Sequence, residues 1–326
     1  MRQLTIVDER WPLASAFVIA RGAKSEAHVV VATIRDGGAT GRGEAVPYAR
    51  YGESVAGVLD QIEGVRAAIE DGADRHALAS HLPPGAARNA LDCALWDLEA
   101  KQAGEPAWRL AGLGAPAAVE TAFTLSLGPP DAMKDAAQAA ADRPLLKLKI
   151  GGADDLACVE AVRRAAPRPR LILDANEGLD FETLRRLTPD FVRLGVCLIE
   201  QPLKVGEDDA LDGYDSPILL CADESIHTRA ELPVCARRYG AVNIKLDKTG
   251  GLTEALALKR AAGALGLEIM AGCMVATSLA MAPALLIAQG AAVADLDGPL
   301  LLFMDRQPGL TISGSIITPA EPALWG

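Results

Sequence analysis

Leu145-Leu146-Lys147-Leu148-Lys149-Ile150-Gly151 is the stretch on which the reading of this chain turns. In a strand, successive side chains point to opposite faces, so Lys147 and Lys149 share one face and Leu146, Leu148 and Ile150 the other. Taken alone, such a strand is an ordinary sheet edge with its lysines in water. Flanked by strands that carry carboxylates, it becomes the floor of a charged site, because buried ammonium groups require partners.

Its neighbours decide between the two. Short apolar runs ending in polar residues recur along the chain, each followed by a helical pattern. They are Thr121–Ser126, Leu145–Gly151, Leu171–Asp174, Cys197–Glu200, Ile218–Asp223, Ala241–Lys245, Leu267–Gly272 and Ala294–Asp297. The polar ends fall at Lys149, Asp174, Glu200, Asp223, Lys245, Gly272 and Asp295, a little over twenty residues apart. That interval holds one strand, one helix and two short loops. Eight such strands predict an α/β fold with a parallel barrel over residues 115–304. Gly298-Pro299 and apolar turns stand where the last helix would be, which makes it a modified (β/α)7β TIM barrel.

Residues 1–114 read differently, as an α+β capping domain. Leu4–Val7 and His28–Ile34 have strand composition, Asp36-Gly37-Gly38 is a turn, and Phe17–Glu26 reads as a loop bearing Arg21 and Lys24. Apolar residues from Val55 to Ile69 recur at helical spacing behind Ser54 as N-cap, and Gly85–Ala103 repeats the pattern. Gly112–Ala117 is the linker. The tail, 305–326, has strand composition over Gly309–Ile317 and is expected to pack back on the N-terminal unit.

A net charge of −11 opposes binding to nucleic acid, whose phosphates need a basic surface. The six cysteines form no C-x-x-C pair, which suits a reducing compartment. Cys273–Ala294 is apolar but interrupted by Thr277, Ser278, Pro283, Gln289 and Gly290, so it reads as a buried helix instead of a membrane span. Met1–Leu13 lacks the apolar core of a secretion signal. A cytoplasmic protein with no membrane partner is expected, and a homo-oligomer is left open.

A parallel barrel converges the C-terminal ends of its strands on one mouth, where active sites lie. Three successive strands there end in Asp174, Glu200 and Asp223, with lysine-bearing strands on both sides. One oxygen from each carboxylate would make one face of an octahedral Mg²⁺ site. Zinc fits less well, since no His ends a strand, and His227 reads as a surface imidazole. A metal flanked by lysines points to removal of a proton beside a carboxylate, where the cation stabilises the doubly charged enolate. Lys149 would serve as base with its pKa lowered by the neighbouring Lys147. Lys245, on a strand four further on, would face it across the barrel. Opposed bases imply 1,1-proton transfer, as in a racemase or epimerase.

The ordered set Lys147-Leu-Lys149, Asp174-Ala-Asn176, Glu200-Gln-Pro202, Ala222-Asp223-Glu224-Ser225 and Asn243-Ile-Lys245-Leu-Asp247-Lys248-Thr-Gly-Gly251 resembles the enolase superfamily. Within it the chain is similar to the dipeptide epimerases of the muconate-lactonizing subgroup, whose use of a Lys base with Mg²⁺ is a known pattern. The resemblance spans essentially the whole chain, including the capping helix Gly85–Asp97. It implies Mg²⁺ on Asp174, Glu200 and Asp223, acid/base roles for Lys149 and Lys245, and a supporting role for Lys147. It also implies that Asp295-Leu-Asp297 binds the free ammonium of a dipeptide, while Arg21 and Lys24 meet an acidic side chain of its second residue. The expected reaction is L-Ala-D-Glu to L-Ala-L-Glu in recycling of cell-wall peptides. An o-succinylbenzoate synthase or N-acylamino acid racemase would share the metal and lysines without needing the aspartate pair. A non-catalytic metal-binding barrel is the alternative outside the family's chemistry.

Overall fold

The computed structural model describes residues 2–19, 22–151 and 155–326. Its first element is a long antiparallel hairpin, β1 (Gln3–Ile19) with β2 (Gly22–Asp36), to which β3 (Ala39–Ala45) adds a third strand. The loop expected over Phe17–Glu26 is instead strand at both described arms, with Phe17 opposite Lys24 and Val18 opposite Ala23. Main-chain pairing sets this extension, and Leu127 N donates to Val18 O at 2.9 Å, which fastens the arm to the barrel.

The helical stretch after Ser54 is broken in two. Ser54 caps α1 (Val55–Gly64) by accepting from Gly57 N, and α2 (Arg66–Glu70) restarts after Val65. Next come α3 (Arg75–His81), α4 (Ala86–Ala103) and the short α5 (Ala107–Leu110). α4 is buried on two sides. Ala87, Ala90, Leu91, Ala94, Leu95 and Leu98 pack with the three-stranded sheet, whereas Cys93, Trp96 and Ala100 join the core of the barrel. Residues three and four apart on a helix share a face, so the two sets form opposite stripes. A helix of this kind welds cap to barrel.

β4 (Val119–Glu120) lies at the foot of the barrel, and β5 (Phe123–Leu125) is its first stave. Then the two element types alternate: α6 (Pro130–Ala139), β6 (Leu145–Lys149), α7 (Asp155–Ala165), β7 (Arg170–Asp174), α8 (Phe181–Arg193) and β8 (Val196–Glu200). β9 (Leu219–Ala222), α9 (Leu232–Arg238), β10 (Ala241–Ile244), the single turn α10 (Leu246–Thr249) and α11 (Leu252–Ala264) follow. β11 (Glu268–Gly272), α12 (Ser278–Ala288), β12 (Val293–Asp295) and α13 (Gly298–Leu301) complete the series. Strands β5 to β12 are parallel neighbours in chain order, and Ala122 N donating to Ala294 O at 2.8 Å closes the ring. The architecture is a (β/α)7β barrel with an N-terminal cap.

Inside the barrel, Ala122, Leu145, Ile172, Leu198, Cys221, Ala241, Met270 and Val293 form a separate apolar layer. Each strand, or the residue before it, contributes one member. Because side chains alternate, the residues two and four further along point inward above that layer. Those positions hold Lys147, Lys149, Asp174, Glu200, Asp223, Asn243, Lys245 and Asp295. Leu146, Leu148 and Ile150 face outward into the core beneath the helices. The segment Cys273–Ala294 does contain a fully buried helix, α12, and no helix among the described residues is long and apolar enough to cross a membrane.

β13 (Ile312–Ser313) pairs with β14 (Ile316–Ile317), which pairs with β4, so both lie at the foot of the barrel and not on the cap sheet. The last residues do reach the cap. Trp325 Nε1 donates to Cys93 O at 3.0 Å, and Arg42 Nη2 donates to Leu324 O at 2.9 Å. Arg306 joins Glu9 and Glu44 of the cap at 2.7 and 2.8 Å.

Candidate active site

The inward positions at the strand ends build a row of carboxylates with ammonium groups between and beside them. Asp174 lies opposite Glu200 in the β7–β8 register, and Asp223 follows two residues after the partner of Glu200 on β9. All three are buried, at 0%, 0% and 1% exposure, so each needs a countercharge. Lys147 Nζ lies 2.6 Å from Glu200 Oε2, 2.7 Å from Asp295 Oδ2 and 2.9 Å from Asp174 Oδ2. Lys149 Nζ is 2.6 Å from Asp174 Oδ2 and donates to Asn176 Oδ1 at 3.2 Å. Lys245 Nζ is 2.6 Å from Asp223 Oδ2 and 3.8 Å from Glu200 Oε1. The row therefore has Lys149 at its Asp174 end and Lys245 at its Asp223 end.

Burial opposes the charge on Lys147 and Lys245, but the surrounding carboxylates outweigh it and hold both ammonium groups well above the ordinary lysine range. Carboxylate oxygens in contact with each of the two set this direction. Burial would also raise Asp174 and Asp223, yet the adjoining lysines leave both below the usual carboxyl range. Glu200, between them, is pushed up to about 8 by burial and by Asp174.

Two side chains that carried no role in the sequence reading hold this row. Asn243 Nδ2 donates to Glu200 Oε1 at 2.7 Å. Lys248 Nζ donates to Asp223 Oδ1 at 2.5 Å, to Asp223 O at 2.6 Å and to Asn243 O at 2.9 Å. Asn243 was accessible to strand parity, lying two residues before Lys245. Lys248 was not, since it follows the strand on the turn of α10.

The mouth above is a cavity of about 570 Å³ bounded by Lys147, Lys149, Lys245, Asp295 and Asp297 below and by cap residues above. Asp295 Oδ1 is buried without a hydrogen-bond partner among the described residues. Asp297 is pushed up to about 6 by burial and by Asp295, and its Oδ2 accepts from Thr124 N at 2.7 Å. Its side chain makes no cap hydrogen bond to α13. Lys24 lies at the cavity wall, its Nζ 5.1 Å from the Tyr48 ring centroid. Arg21 lies outside the described residues.

Tyr48, Arg50 and Tyr51 also line the cavity, from a turn of the cap that sequence periodicity does not place near the barrel. Arg50 makes a two-pronged bond to Glu177, at 2.8 Å from Nε and 2.7 Å from Nη2, which joins cap to barrel at the rim. His227 is a correction: it is half-buried and edge-on to Tyr51, with ring centroids 4.5 Å apart, and burial lowers its pKa.

As the side chains stand, no group of three or more described His, Cys, Asp or Glu residues is arranged to hold a metal ion, because ammonium groups stand between the carboxylates. The donor set nonetheless suits a hard divalent cation: oxygen ligands from three adjacent strands, with neither sulfur nor imidazole. Glu200 Oε2 accepts no hydrogen bond among the described residues and is met by the Lys147 charge.

Two family models match the chain. One, described as the mandelate racemase / muconate lactonizing enzyme N-terminal domain, matches residues 1–112, and the other, described as enolase C-terminal domain-like, matches residues 132–310. An L-Ala-D/L-Glu epimerase of Escherichia coli (strain K12) is 46% identical over 312 residues, covering 95% of this chain and 97% of its own. An N-acetyl-D-glutamate racemase of Pseudoalteromonas sp is 45% identical over 300 residues, covering 91% and 95%. Among solved structures, an enolase family member from Agrobacterium tumefaciens, with bound sodium and L-Ala-L-Glu, aligns at TM-score 0.98 and 51% identity over 100% of both chains. A dipeptide epimerase from Enterococcus faecalis V583, complexed with Mg and L-Leu-L-Tyr, aligns at TM-score 0.90 and 27% identity over 98% of this chain and 97% of its own.

Proposed function

The chain belongs to the mandelate racemase/muconate lactonizing enzyme family of the enolase superfamily, and we propose that it is a Mg²⁺-dependent dipeptide epimerase acting on L-Ala-D/L-Glu. The observation that carries the reading is the placement of Lys149 and Lys245. They stand at opposite ends of one carboxylate row, on strands four apart in the ring, and both line one cavity.

Asp174, Glu200 and Asp223 would hold the cation. When bound, Mg²⁺ supplies a Lewis acid that shares the charge of the substrate carboxylate and of the enolate. Lys149 and Lys245 take the α-proton from one face and return one to the other, which inverts the second residue of the dipeptide. Lys147 steadies the carboxylate end. Asp295 and Asp297 receive the substrate ammonium, and the partnerless Asp295 Oδ1 supports that role. Lys24, with Arg21, meets the distal carboxylate. The six cysteines, none of them in a disulfide among the described residues, support a place in cytoplasmic recycling of murein peptides.

The test is proton NMR of L-Ala-D-Glu and of L-Ala-L-Glu in D₂O with enzyme and Mg²⁺. Loss of the Glu α-proton signal with growth of the other diastereomer is expected. A second reading, racemisation of an N-acylated glutamate, draws on the relative of that name. It predicts exchange of N-acetyl-glutamate and silence on both dipeptides.

A further inference from the structure

Lys245 stands directly before α10, and that single turn is gripped from the cap. Asp247 Oδ1 accepts from Asn89 Nδ2 on α4 and from Val46 N just after β3, each at 2.9 Å. Arg88 Nη2 and Nε, also on α4, donate to Thr249 O at 2.6 Å and Gly250 O at 3.2 Å. The approach leaves no room for side chains after the turn. Gly250 and Gly251 have φ of 74° and 112°, and a Cβ added to either would stand 2.4 Å from Arg88 or Asp92.

Val46 leads into the turn that brings Tyr48, Arg50 and Tyr51 to the cavity. One carboxylate oxygen therefore fastens together the cap helix, the root of the substrate-facing cap turn and the segment carrying Lys245. On the opposite side of the site the cap meets Lys149 by a looser contact, the Phe17 ring with its centroid 5.9 Å from Nζ. Among the described residues, no cap group hydrogen bonds to Leu145–Lys149 or to the two residues after it.

We propose that Asp247 is a positioning residue that ties Lys245, and not Lys149, to the cap. The inference rests on the epimerase reading above. Proton transfer demands an approach within hydrogen-bond reach, and a misplacement of about 1 Å can cost roughly a hundredfold in rate. Release of Asp247 therefore slows the half-reaction that uses Lys245 and spares the other.

The experiment measures α-proton exchange in D₂O separately for L-Ala-D-Glu and L-Ala-L-Glu, with Mg²⁺. K149A first identifies which diastereomer is served by Lys245, as the one whose exchange survives. In D247A, exchange of that diastereomer is expected to fall by about tenfold or more, and that of the other by less than about threefold. D247N keeps an oxygen able to accept from both donors and restores the lost exchange. N89A removes one donor only, so it gives the same asymmetry at smaller amplitude even where D247A does not fold. Equal loss for both diastereomers in N89A or D247A, or no loss in either variant, overturns the inference while leaving the epimerase reading standing. Absence of exchange by the wild type overturns both.

Discussion

Asp92 sits on α4 facing the barrel, where its oxygens meet Thr253 N at 3.0 Å and Thr253 Oγ1 at 2.6 Å. Burial pushes it up to about 6, with the Thr253 hydrogen bonds working the other way. A carboxyl raised in the folded state stabilises fully below its unfolded value and loses that contribution as pH rises through the folded value. Wild type therefore loses stability between about pH 4 and 6 through this group, and D92N does not. The difference in Tm, D92N minus wild type, is expected to become more positive from pH 4 to pH 7. Parallel profiles would contradict the assignment. At this scale the barrel residues were legible, because strand parity alone separates Lys147 and Lys149 from Leu146 and Leu148. Tyr48, Arg50 and Tyr51 were not, because their nearness to the site comes from packing of the cap and not from any local period.

Among the elements, the eight staves were readable from composition, each being a short apolar run closed by a polar residue. The upper hairpin was not. Phe17–Ile19 and Gly22–Glu26 mix apolar, small and charged residues without alternation, and pairing with one another makes them strands. The tail divided the same way: Gly309–Ile317 was recognisable as strand material, yet its partner β4 has only two residues. Its end carries one large buried aromatic residue, beside the hydrogen bonds from Arg42 to Leu324 and from Gly326 to Asp97. Trp325 is 3% exposed and packs in the core that joins cap and barrel. W325A is expected to lower unfolding stability by about 3–5 kcal/mol, as for other buried aromatic residues cut to Ala. Urea unfolding of the two proteins measures it, and a change below about 1 kcal/mol would show that the tail does not brace the cap.

For the molecule as a whole, fold and chemistry share one cause. A parallel ring of strands with apolar residues at one level leaves the next levels free for charge, and helices outside exclude water from it. The price is a set of buried carboxylates and ammonium groups that stabilise one another and would be costly alone. The cap lines the mouth of the cavity and, through Asp247, grips the turn that follows Lys245. The central claim is that Lys149 and Lys245 serve opposite faces of one α-carbon. The most direct test follows deuterium incorporation by K149A and by K245A into each diastereomer of L-Ala-Glu. Each variant is predicted to lose epimerisation, K149A retaining exchange of one diastereomer only and K245A of the other only. If either variant still epimerises at the wild-type rate, or both retain exchange of the same diastereomer, the two-base account is wrong.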